Sequence, residues 1–92
     1  MKTRLASLLQ QAISALQSQS ELPDGLAPTI KIEHTRDPSH GDYACNVAMM
    51  LAKPAKKNPR QIAQSIIDNL PADTDVTRVE IAGPGFINFF IN

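Results

Sequence analysis

The chain predicts a two-layer α+β sandwich, about three helices on one face of a small, mostly antiparallel sheet. Apolar residues recur at i, i+3, i+4 and i+7 in three stretches bounded by proline and glycine signals. Shorter runs alternate apolar with polar residues, as strands with one wet face do. The last two runs flank a Gly83-Pro84-Gly85 corner, which is how a strand, turn, strand unit reads. The order is α, β, α, α, β, β, with room for a short extra strand between Leu26 and Arg36. Helices on one side only leave the other sheet face uncovered.

The first helix spans Thr3 to Gln19. Leu5, Leu8, Leu9, Ala12, Ile13 and Leu16 form one stripe, opposite Gln10, Gln11, Ser14 and Gln17. The polar side lacks the lysines and arginines of a membrane-surface helix, so the stripe faces a core. Ser18 to Pro28 is loop, with Pro23-Asp24-Gly25 as its turn signal. Thr29 to Thr35 sets Ile30 and Ile32 against Lys31 and Glu33, a strand with one wet face.

A second loop, Arg36 to Gly41, leads into a helix expected from about Tyr43 to Lys53, burying Ala44, Val47, Ala48 and Leu51. Ser39 and Asp42 stand at capping-box spacing, which leaves open which of them caps that helix. Pro54 is expected to close it. Asn58-Pro59 marks the next start, an N-cap side chain followed by proline at the first helical position. The third helix turns Ile62, Ala63, Ile66, Ile67 and Leu70 inward before Pro71 stops it. Pro71 to Asp75 is an acidic loop before the closing strands. At the corner, Pro84 and Gly85 suit the two central positions of a type II turn.

A chain of 92 residues makes one domain, 1–92, able to bury a core without disulfides. Its apolar share of 42% and charged share of 20% are those of an ordinary globular domain. The single cysteine excludes an internal disulfide framework and suits a reducing compartment. No apolar run approaches the ~20 residues of a membrane span and no signal-peptide pattern opens the chain, so a cytoplasmic location is expected. The formal net charge of +0 hides an asymmetry. Lys53 to Arg60 (KPAKKNPR) holds four of the nine bases and no acid, leaving five bases against all nine acids elsewhere.

No catalytic constellation or metal site emerges. His34, His40 and Cys45 lack the spacing of a structural zinc site, and Cys45 among small residues reads as a packed small hydrophobe. The GPG corner precedes a strand, so it is no phosphate-cradling loop. The basic run Lys53, Lys56, Lys57 and Arg60 reads equally as a solvated loop or as a phosphate contact at a helix start.

The final strand is more specific. Side chains alternate with period two, so Ile87, Phe89 and Ile91 share one face, and Phe86, Asn88 and Phe90 share the other. If helices cover the first set, the second presents an aromatic and an amide able to stack on a base and bond its edge. Exposure is expected for Phe86 and Asn88, and packing against a neighbour for Phe90.

Three stretches also carry a resemblance: HGDYACNVAMMLAK (His40 to Lys53), NPRQIAQSIIDNL (Asn58 to Leu70) and VEIAGPGFINFFI (Val79 to Ile91). Together they resemble the N-terminal additional domain of bacterial arginyl-tRNA synthetases, most specifically in Gly41-Asp42-Tyr43, Asn46 and the closing AGPGFIN. The first helix matches only in type and position. The resemblance implies a small α+β domain preceding a class I catalytic domain that joins arginine to tRNA using ATP with magnesium. It implies contact with the tRNA elbow, an exposed D-loop base being read by the aromatic and amide that match Phe86 and Asn88. It also implies catalytic and anticodon-binding domains of the same parent chain as partners, and a monomer. Asp42, Tyr43 and Asn46 are expected to be structural: a helix cap, a packed ring and a buried hydrogen-bonder.

The HIGH-type and KMSKS-type signatures of class I synthetases do not occur in these residues. The expectation is an excised domain that binds tRNA without cofactor and aminoacylates nothing alone. The rival readings are a free-standing single-stranded RNA binder with an open sheet, and a protein-interaction module docking its aromatic face.

Overall fold

The structure, a computed structural model, describes every residue except Ala27; that position of the predicted Ser18–Pro28 loop and of the extra-strand window lies outside the described residues. Helix α1 (Lys2–Ser18) buries Leu5, Leu8, Leu9, Ala12, Ile13 and Leu16, the stripe its spacing predicts. Arg4 ties α1 to the acidic loop, its Nε 3.4 Å from Asp73 Oδ2 and its Nη1 on Asp75 Oδ2.

Strand β1 (Ile32–His34) is shorter than the predicted Thr29–Thr35, because its partner β2 (Tyr43–Cys45) offers only three residues. Strand β2 corrects the expectation of a helix from Tyr43. Its residues pair antiparallel with β1 on one side and with β4 (Phe86–Ile91) on the other. Three residues are too few to display a period of two, and the spacing of Ala44 with Val47, Ala48 and Leu51 mimics a helix. Backbone pairing on both sides overrides that local pattern.

Helix α2 (Val47–Ala55) follows and buries Val47, Ala48 and Leu51. Pro54 lies inside its last turn instead of closing it. The stop is Lys56, left-handed at φ 55. The Lys56 N–H donates to the Lys53 carbonyl at 3.2 Å and the Lys57 N–H to the Ala52 carbonyl at 3.1 Å, the bond pair of a Schellman motif. Helix α3 (Pro59–Asp68) starts as predicted, with Asn58 Oδ1 accepting from the Arg60 N–H at 2.8 Å.

Strand β3 (Val76–Ala82) completes a sheet of order β1-β2-β4-β3, antiparallel throughout. Ile32, Cys45, Ile87 and Phe89 join the buried faces of α1, α2 and α3 in one core. The helices therefore lie on one side of the sheet, and β4 runs through its interior with its other side open.

Candidate nucleic-acid interface

Strand β4 sorts its side chains as alternation predicts. Ile87 and Phe89 are fully buried toward the helices, while Phe86, on the open side, is 40% exposed. Asn88 departs from expectation: it lies on the open side but is only 5% exposed. Register explains the difference. Asn88 sits opposite Ala44 on one side and Glu80 on the other, between Phe86 and Phe90 along its own strand. Phe86, at the strand end beside the corner, has less around it. Among the described residues no side-chain N or O atom is both sealed from solvent and unpartnered.

Phe90, expected to pack against a neighbour, is half-buried beneath a cation. The Arg78 guanidinium carbon lies 4.0 Å from the Phe90 ring centre, and Arg78 Nε lies 2.8 Å from Glu80 Oε2. Sequence reading passed over Arg78 and Glu80 as members of this face. Their signal was available, since they alternate with the apolar Val79 and Ile81 along β3.

The corner that positions Phe86 is displaced by one residue from expectation. The Gly85 N–H donates to the Ala82 carbonyl at 3.3 Å, so Gly83 and Pro84 are the central residues. Gly83 has φ 55, the positive value that primed hairpin turns need at their first central position. Gly85, at φ 145, is pressed against the α2–α3 junction: a Cβ there would stand 2.9 Å from Pro59 Cβ. Arg60 Nη1 donates to the Gly83 carbonyl. Phe86 is thus presented from a clamped turn.

That clamp divides the basic run. Arg60 serves the corner, and Lys57 Nζ donates to the Glu21 carbonyl at 2.7 Å with Glu21 Oε2 3.7 Å away. Both pairings are exposed, where such contacts are weak. Lys53 and Lys56 are exposed and are the two cations of the run that point to no such partner among the described residues.

Within Gly41-Asp42-Tyr43, the Tyr43 ring packs against the core as expected, whereas Asp42 is not the helix cap expected of it. Gly41 has φ 84, and a Cβ there would lie 2.6 Å from the Phe89 carbonyl oxygen. This close approach lets the Asp42 N–H donate to that carbonyl at 2.8 Å. Asp42 caps no helix; its Oδ2 accepts from the Ile91 N–H at 2.8 Å, extending the bonding of β4. The Tyr43 ring lies 4.6 Å from that of His34, tilted. Ser39 caps no helix either: its N–H and hydroxyl donate to Asp37 Oδ1, and these bonds, the backbone one foremost, hold the Asp37 carboxyl below its ordinary range.

Asn46 is not the buried hydrogen-bonder expected: among the described residues its side chain has no hydrogen-bond partner. It is exposed at the N-cap of α2, and its side chain makes no capping bond.

Cys45 is 2% exposed, and burial pushes its thiol up, which suits a packed hydrophobe better than a nucleophile. Among the described residues no cluster of His, Cys, Asp and Glu could hold a metal ion. No described helix is long and apolar enough to cross a membrane.

Residues 3–91 match the family model for the arginyl tRNA synthetase N terminal domain. The chain belongs to that family. Over all 92 residues it is 56% identical to an arginine–tRNA ligase of Pseudomonas fluorescens and 55% identical to one of Azotobacter vinelandii, spanning 16% of the length of each. Its fold superposes on a Thermus thermophilus arginyl-tRNA synthetase with a TM-score of 0.78 at 25% identity, covering 100% of this chain and 14% of that one. A Plasmodium falciparum arginyl-tRNA synthetase shares the fold, with a TM-score of 0.81 at 18% identity over 99% of this chain and 16% of that one.

Proposed function

We propose that this domain recognises the D-loop at the elbow of tRNA on behalf of a class I arginine–tRNA ligase, which attaches arginine to tRNA using ATP with magnesium. The observation that carries the reading is a large aromatic ring held out to solvent by a clamped turn on an otherwise core-forming strand. An extruded base stacks on Phe86, and Asn88 offers its amide from the floor of the open face. Lys53 and Lys56 are the members of the basic run best placed to meet phosphate, with Lys57 and Arg60 contributing charge nearby. Binding here adds affinity and orients the acceptor end toward a distant catalytic site.

The glycine-proline-glycine corner of this chain does not fit ATP. The Gly83-Pro84-Gly85 corner joins two strands and offers no helix N-terminus to phosphates. Nucleotide and arginine chemistry therefore belongs to a catalytic domain of the parent enzyme. That domain and an anticodon-binding domain are the partners within one chain, and the enzyme works as a cytoplasmic monomer.

The test is titration of the chain with an arginine-accepting tRNA transcript and with an unstructured RNA of equal length. Phe86→Ala should weaken tRNA binding by about 1–3 kcal/mol, the range for stacking one base. Equal affinity for unstructured RNA would favour a free-standing single-strand binder. Indifference to both RNAs would favour a protein-docking role.

A further inference from the structure

Reading an exposed base takes a stacking surface and hydrogen-bonding groups around the base edge. Asn88 lies along the strand from Phe86, and same-face neighbours on one strand are roughly 7 Å apart. The adjacent strand is closer, at roughly 5 Å. Cys45 of β2 pairs with Ile87 of β4. One step further, therefore, Asn46 comes beside Phe86, and alternation turns both to the open face with Ala44 and Asn88.

The surface there is concave. Phe86 and Asn46 line a cleft of about 240 Å³ together with Lys31, Glu33 and Ala44. Ala44 leaves the floor low, and the paired charges of Lys31 and Glu33, 3.4 Å apart, form the far rim. An asparagine at a helix N-cap ordinarily turns its side-chain oxygen onto a backbone N–H of the first turn. Asn46 does not: its backbone sits at φ −104, ψ 16, and no capping bond forms. Its carboxamide, with two donors and an acceptor oxygen, is left exposed beside the one exposed phenylalanine ring of the described residues.

We propose that Asn46 is a second base-reading residue, bonding the edge of the unpaired nucleobase that stacks on Phe86. This deepens the RNA-binding reading above and rests on it. A base lying on the ring then meets one amide along the strand, from Asn88, and one across it, from Asn46. Two amides approaching from different sides constrain the base's rotation as well as its identity.

The experiment measures affinity of the chain for an arginine-accepting tRNA transcript and for transcripts each bearing one abasic D-loop nucleotide. Phe86→Ala and the abasic series identify the stacked base. Asn46→Ala should then weaken binding to the intact transcript roughly three- to tenfold, the range of one net hydrogen bond. It should have no further effect on the transcript lacking that base. Asn46→Asp, which retains size and equal N-cap preference but loses both donors, should weaken binding without lowering the melting temperature.

Three results would overturn the proposal. If Phe86→Ala and one abasic transcript weaken binding but Asn46→Ala does not, Asn46 is no reader while the RNA reading stands. If Asn46→Ala lowers the melting temperature and weakens intact and abasic transcripts alike, it is a structural cap. If neither Phe86→Ala nor any abasic nucleotide matters, the underlying RNA reading falls as well.

Discussion

The two sides of β4 are built from the same kinds of residue and do opposite things. Phe89 has no solvent exposure and is the largest fully buried side chain, whereas Phe86, three residues earlier, is 40% exposed. Composition does not distinguish them. Parity along the strand and distance from its end do: Phe89 faces the helices in mid-strand, and Phe86 faces away beside a turn. An aromatic ring on this strand is buried core or exposed surface according to which side of the sheet the helices occupy.

The sharpest way to test that contrast is to truncate each ring. Phe89→Ala should destabilise the domain by about 3–5 kcal/mol, through reduced burial and the cavity left behind, measured by urea unfolding. Phe86→Ala should leave the unfolding midpoint nearly unchanged while tRNA affinity falls. A large stability loss from Phe86→Ala would mean that both rings belong to one core, and the contrast would collapse.

A smaller effect separates the open face from the basic segment. Replacing Lys53 and Lys56 together with Ala should reduce the dependence of log affinity on log salt by roughly one unit for each phosphate no longer neutralised, without altering the abasic-transcript pattern. An unchanged slope would return that segment to solvated loop.

The smallest expected effect concerns the loop that feeds Gly41 toward β4. The Ser39 bonds hold the folded Asp37 carboxyl below the ordinary 3.8. Its contribution to stability is therefore present above that value and fades as pH falls through the lower folded value. Asp37→Ala should slightly flatten the acid limb of a stability–pH profile and leave RNA affinity at neutral pH alone. A steep loss of affinity would place this loop in the interface.

Much of the arrangement was legible because it is periodic. The six core residues of α1, the Asn58-Pro59 start of α3 and the parity of β4 follow from spacings of 3.6 and 2 together with one capping preference. Three features were not legible. Strand β2 is too short to declare a period. The corner's centre fell on Gly83-Pro84 because Pro59, Met49 and Arg60 pack and bond against it, and none of these is local in sequence. Asn88 sank because Ala44 and Glu80 flank it from two other strands.

The sequence by itself determined that a helical layer would cover one side of a small sheet, and which side of its last strand would meet that layer. Both are local consequences of where apolar side chains recur. Only tertiary structure decided how deep each polar group on the open side would lie, and which amide would stand free next to Phe86. Those outcomes depend on the neighbours that strand pairing brings from Tyr43–Cys45 and Val76–Ala82. No spacing within the final strand encodes them.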